Sequence, residues 1–116
     1  MNRVRQGDVF WIDFGSPKSS APADRHPCVV VQSDNFNQSM IPTTIVCVIT
    51  SNLRHAQAPG NVALRRGDGH LPKASVVNVS QVTTVDKTDL VERIGKLPPA
   101  TVDLIRSGLQ LLFDRI

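Results

Sequence analysis

The chain has 116 residues, 41% of them hydrophobic, which is enough for one domain with a single core and too little for two. Its formal net charge of +3, from 13 Lys and Arg against 10 Asp and Glu, favours polyanionic partners only mildly, and aromatics at 4% with no Tyr require an aliphatic core. No run approaches the ~20 apolar residues of a membrane span, and the opening Met-Asn-Arg-Val-Arg-Gln-Gly-Asp lacks the apolar stretch of a signal peptide, so a cytoplasmic protein with no membrane contact is expected.

Gly7-Asp8 is a turn signal, and Val9-Phe10-Trp11-Ile12-Asp13-Phe14 after it predicts a first strand. Residues 15–24 contain one Gly, two Pro and three Ser, which predicts a long irregular loop. Pro27 biases His26 towards an extended conformation, so Arg25 and His26 are expected at the mouth of a second strand, Cys28 to Gln32. A polar stretch, 33–42, leads to a third strand, Thr43 to Ile49. An irregular stretch to Gly60 precedes a short strand, Asn61 to Leu64, and a turn at Arg66-Gly67-Asp68-Gly69. Ser75 to Val82 reads as a β-branched strand, and Val91 to Ile94 as an edge strand or a short turn of helix.

The C-terminal part departs from this pattern. Pro98-Pro99 is a helix start, and Val102, Ile105, Leu109, Leu112 and Ile116 recur at three- and four-residue steps, which predicts one amphipathic helix. Leu104 and Leu111 lie off that stripe and widen the apolar face towards a second subunit. Many short strands and one helix give a mainly β fold with a C-terminal α-helix, a small SH3-like barrel.

Cys28 and Cys47 sit inside apolar runs, where a free thiol acts as a small buried hydrophobe. With no Cys-x-x-Cys pair and no tight ligand spacing among His26, His55 and His70, neither a metal nor another cofactor is expected.

Two polar clusters at strand ends carry the chemistry. Arg25-His26-Pro27 opens one predicted strand and Thr50-Ser51-Asn52 closes another, and the two converge on a phosphodiester if the strands are neighbours. Metal-free RNA cleavage by the ribose 2′-hydroxyl needs a proton acceptor, a cation for the charged transition state and a donor to the leaving oxygen. An imidazole, a guanidinium and a hydroxyl suit those roles. A plainer reading stands beside this one: Arg25 a solvated charge, His26 a spacer before proline, Thr50 a turn former.

Ser51 and Asn52 are candidates to contact RNA, Gln81 to read a base edge, and Arg65-Arg66 to follow a phosphate backbone. Trp11 is a candidate to stack on a base or to take a partner's apolar side chain. From Lys18 to Lys73, Lys18, Arg25, Arg54, Arg65, Arg66 and Lys73 stand against Asp24, Asp34 and Asp68 only.

Seven segments in order resemble the MazF/PemK/Kid family of bacterial toxin endoribonucleases. They are Gly7 to Phe14, His26 to Asp34, Ile45 to Asn52, Pro59 to Val62, Leu71 to Asn78, Thr84 to Lys87 and Ile94 to Leu97. The resemblance implies one domain over residues 1–116, an SH3-like barrel that forms a homodimer, and sequence-specific cutting of single-stranded RNA in a groove across the interface. Messenger RNA is the implied substrate, with ribosomal and transfer RNA left open. It further implies metal-independent chemistry that leaves a 2′,3′-cyclic phosphate and a 5′-hydroxyl, and inhibition by a cognate antitoxin, to which Trp11 is assigned. The loop 15–24 resembles the family's substrate-gating loop.

The family's catalytic pair is an Arg directly before the strand-opening Pro and a Thr at the position of Thr50. In this chain His26 holds the first slot, with Arg25 one place earlier. Either His26 takes over proton transfer, or Arg25 turns into the role, or the chain is a weakened or inactive RNA- or antitoxin-binding variant. Because neighbours in a strand point to opposite faces, position 26 is the expected site. A gyrase-poisoning toxin is known on the same fold, but it resembles a Trp-Gly-Ile ending, whereas this chain ends Leu-Phe-Asp-Arg-Ile.

Overall fold

The structure, a computed structural model, describes residues 3–13 and 25–115. They build six strands, β1 (Asp8–Asp13), β2 (Arg25–Val30), β3 (Thr43–Thr50), β4 (Val62–Leu64), β5 (Ser75–Asp86) and β6 (Leu90–Lys96), and two helices, α1 (Asp34–Asn37) and α2 (Pro99–Phe113). The described strands form one antiparallel sheet in the order β4-β5-β3-β2-β1-β6. The mainly β fold with a C-terminal helix is as expected; the two ends of the strand order, β4 and β6, are not joined among the described residues, which leaves the sheet open.

Alternation along each strand sends side chains to two faces, and both are apolar. On one, Val9, Val29, Cys47, Ile49, Val77 and Val79 pack under Ile105 of α2. On the other, Phe10, Ile12, Cys28, Val30 and Val46 form a second buried cluster. Both cysteines are free and buried, on opposite faces.

Helix α2 follows the predicted stripe only as far as Leu109: Ile105 is buried and Val102 and Leu109 are half-buried, but Leu112, expected on the same stripe, is exposed beside the outward-facing Leu104 and Leu111, because the sheet beneath the helix ends before its last turn is covered. Its close approach to the sheet depends on two glycines. A Cβ on Gly108 would collide with the Gly60 carbonyl, and Gly60 itself has φ +78°, which an L side chain rarely adopts. Phe14, the loop 15–24 and Ile116 lie outside the described residues.

Most strand bounds shift by a residue or two, and three departures from expectation are informative. Strand β2 begins at Arg25 rather than Cys28, because ladder pairs Ile12 with His26 and Asp13 with Arg25 extend it. Pro27 is accommodated because the ladder between β2 and β3 begins only at Cys28, so that side of the strand does not call for the N–H that proline lacks. Strand β5 continues past Val82 to Asp86. The polar Ser80-Gln81 pair reads as a strand end but belongs to a bulge, where pairing jumps from Val48–Asn78 to Cys47–Val82. The polar stretch after Ser33 contains α1, capped by the Ser33 hydroxyl, which accepts from the Asn35 amide.

Candidate active site and RNA-binding face

The two sequence clusters meet on neighbouring strands. Strands β2 and β3 pair Cys28 with Val48. Carried two residues further, the same register sets His26 opposite Thr50. By alternation both belong to the face of Cys28 and Val46, and both lie at its open margin, His26 exposed and Thr50 half-buried.

Thr50 is oriented by its own chain. Its Oγ1 accepts from the Asn52 amide at 3.1 Å, which leaves the hydroxyl proton to be donated elsewhere. The Asn52 carboxamide oxygen in turn accepts from the Arg54 amide at 3.2 Å and caps the 3-10 turn Leu53–Gln57. Ser51 is exposed between them. Asn52 is therefore a structural cap as well as a candidate RNA contact.

Arg25 is on the other face. Its guanidinium carbon lies 5.4 Å from the centroid of the Trp11 ring, and its Nη2 donates to Glu92 Oε2 at 2.8 Å. The register explains the contact. Trp11 pairs with Pro27 on one side and Glu92 on the other, so Arg25 reaches diagonally across β1 to an acid on β6. Trp11 is half-buried beneath it. The pairing of Arg25 with Glu92 was not legible, because only the sheet order brings residues 67 apart in sequence together.

Arg65 and Arg66 are exposed in the turn after β4, where the Arg65 amide donates to Asp68 Oδ2 at 2.7 Å. They belong to a different strand connection from His26 and Thr50. Gln81 is exposed at the β5 bulge, next to the Val48–Asn78 pair and so on the approach to Thr50.

Beneath Gln81 lies a set of amides that sequence reasoning missed. Asn61 Nδ2 donates to Asn78 Oδ1 at 3.2 Å, and Asn78 Nδ2 donates to Gln81 Oε1 at 3.1 Å. Asn78 is 6% exposed. The available clue was an Asn at a position that the strand pattern Ser-Val-Val-Asn-Val buries. Among the described residues no cluster of three His, Cys, Asp or Glu side chains suits a metal ion, and no helix is long and apolar enough to cross a membrane.

Comparison with known proteins bears on this geometry. Residues 5–113 match the family described as PemK-like, MazF-like toxin of type II toxin-antitoxin systems. The endoribonuclease MazF6 of Mycobacterium tuberculosis is 41% identical over 111 residues, covering 96% of this chain and 97% of that protein. The endoribonuclease MazF of Staphylococcus saprophyticus is 29% identical over 93% of this chain and 89% of its own length. In fold, the chain is similar to a MazE-MazF complex from Deinococcus radiodurans, with TM-score 0.76 at 19% identity and full coverage of both chains. It is also similar to a mycobacterial endoribonuclease in complex with its cognate antitoxin, with TM-score 0.73 at 22% identity, covering 96% of this chain and 93% of that one. The chain belongs to the PemK-like, MazF-like family of type II toxin-antitoxin toxins.

Proposed function

We propose that this chain is an endoribonuclease toxin that cuts single-stranded RNA without a metal and is restrained by a cognate antitoxin. The observation that carries the reading is the β2–β3 register, which sets His26 across from Thr50 on one exposed margin of the sheet, in a chain whose relatives are named endoribonucleases. In this mechanism the ribose 2′-oxygen attacks phosphorus and the bond to the 5′-oxygen breaks. The products are a 2′,3′-cyclic phosphate and a 5′-hydroxyl. Thr50, its oxygen already engaged by the Asn52 amide, donates a hydrogen bond to a non-bridging phosphate oxygen. His26 accepts the proton of the attacking 2′-hydroxyl and passes a proton to the leaving 5′-oxygen, while Arg25, held by Glu92 on the other face of the sheet, adds positive charge only from across the strand. Ser51, Arg65 and Arg66 extend the RNA contact. The exposed Leu104, Leu111 and Phe113 of α2 support contact with a second copy of the chain.

The test is incubation of the protein and its His26→Arg variant with long single-stranded RNA in EDTA, with both ends of the fragments mapped. Specific cuts with cyclic-phosphate ends in the unmodified protein establish the enzyme. Cuts only after His26→Arg mean that His26 disables an Arg-dependent site, which is the second reading that position 26 keeps alive. RNA binding without cuts from either folded protein leaves a binding module.

A further inference from the structure

The amides beneath Gln81 have a fixed polarity, and it can be derived from backbone groups whose chemistry is not in question. Side-chain carboxamides are ambiguous in isolation, since oxygen and nitrogen have nearly the same shape. Asn61 is not ambiguous. One of its terminal atoms sits 2.9 Å from the Val79 amide N–H, which can only donate, so that atom is Oδ1. The other sits 2.8 Å from the His55 carbonyl, which can only accept, so it is Nδ2.

The polarity then propagates. Asn61 Nδ2 also meets Asn78, whose atom there must be Oδ1, and that oxygen also accepts from the Ser80 hydroxyl at 3.1 Å. Asn78 therefore turns Nδ2 towards Gln81, and the Gln81 atom 3.1 Å away must be Oε1. The Gln81 side chain is exposed, and in a planar carboxamide the Nε2 donor is directed away from the oxygen that Asn78 holds. The bulge in β5 makes this possible, because it sets Gln81 back beside Asn78 rather than further along the ladder.

We propose that Gln81 is a specificity-determining residue that presents a hydrogen-bond donor to one base of the RNA and selects a keto base, uracil or guanine, over adenine or cytosine, with Asn78 and Asn61 as positioning residues. The inference rests on the endoribonuclease reading and adds a substrate preference to it. Uracil O4 and guanine O6 accept a hydrogen bond where cytosine and adenine carry an amino donor. An amide whose oxygen is already held has the wrong outward edge for an amino group. The selected base lies about 7 Å along the sheet from Thr50, since Val48, opposite Asn78, is two residues from Thr50. That is close to a single nucleotide step.

The test uses a pool of random single-stranded 2′-fluoro oligonucleotides, which carry no attacking hydroxyl and survive contact with the enzyme. The bound fraction is sequenced for the unmodified protein, Gln81→Glu and Asn78→Asp. The expected result for the unmodified protein is one position enriched about five- to tenfold in uracil or guanine, as one or two well-formed hydrogen bonds allow. Gln81→Glu, at an exposed position that does not threaten folding, puts an acceptor outward and is expected to invert the preference towards adenine or cytosine. Asn78→Asp faces Gln81 with an acceptor, so the Gln81 amide must turn over, and the same inversion is expected although residue 78 does not itself contact the base. Binding with no keto preference, or a keto preference that survives Gln81→Glu, overturns the proposal. Parallel mapping of cut sites on ordinary RNA keeps the readings apart: cutting without keto selection removes this inference and leaves the enzyme, and keto-selective binding without cutting does the reverse.

Discussion

Arg25 lies over the ring of Trp11 and donates to Glu92 at 2.8 Å, on the face of the sheet opposite His26. The two adjacent polar residues of one sequence motif, Arg25 and His26, are thereby separated by strand alternation into different surroundings. The Arg25–Glu92 pair is well exposed, its side chains 41% and 62% accessible, so it contributes little to folding. Its importance is to hold a guanidinium against an aromatic surface at the mouth of β2.

The first prediction concerns that pair. Glu92→Gln is expected to change folding stability by less than about 1 kcal/mol while releasing Arg25 for RNA phosphate. RNA affinity is expected to rise, and Arg25→Ala to lower it and to reduce the slope of log affinity against log salt by about one phosphate contact. Fluorescence anisotropy across a salt series checks both. An unchanged salt slope in Arg25→Ala would remove Arg25 from the RNA-contacting set.

Thr50 and position 26 give the second prediction. Thr50→Ala removes one hydroxyl from a strand end and is expected to lower the cleavage rate by about 100-fold or more, the usual loss when a single donor to a developing oxyanion is deleted. The fold should persist, and circular dichroism monitors it. His26→Ala should fall comparably, whereas His26→Arg should retain or raise the rate if a cation is what the position requires. A fall in His26→Arg would instead identify the imidazole as the working group of this chain.

The strand carrying each cluster was legible because Val, Ile and Cys runs bounded by Pro and by Thr-Ser-Asn are local signals. Which residues share a face was legible too, since alternation follows from strand geometry alone. What escaped was everything set by non-local pairing. Glu92 meets Arg25 only because β6 joins β1 at the sheet edge, and Asn61 meets Asn78 only because β4 lies beside β5. The bulge at residues 79–81 escaped for a different reason. A polar pair inside a strand looks like its end unless the partner strand is known, and here β3 continues past it.

A third prediction follows from the contact between Gly60 and Gly108. Gly108→Ala would ordinarily stabilise an internal helix position by roughly 0.5–1 kcal/mol. Here the added methyl meets the Gly60 carbonyl, so α2 must lift from the sheet or the turn must shift. The expected outcome is a loss of about 1–3 kcal/mol, as for an overpacked core. Urea unfolding checks the sign, and a gain in stability would show that the helix moves away at no cost.

Cys28 and Cys47 supply the last prediction. Burial pushes each thiol up from the usual thiol range to about 12, and for Cys28 a hydrogen bond with the Phe10 backbone opposes the shift without cancelling it. The unfolded chain gives up these protons near pH 9 while the folded chain keeps them. The folded state therefore binds more protons than the unfolded state between about 9 and 12, and stability falls as pH rises through that window. Below pH 9 the thiols are neutral in both states and the full stability is present. Replacing both by Val adds a methyl at each buried site, which lowers stability at every pH, but it removes the titration, so the double variant should lose less stability between pH 9 and 11 than the parent, measured by urea unfolding at each pH. The same protonation makes both thiols inert to alkylation in the folded protein at pH 8, and rapid modification there would contradict the burial of Cys28 and Cys47.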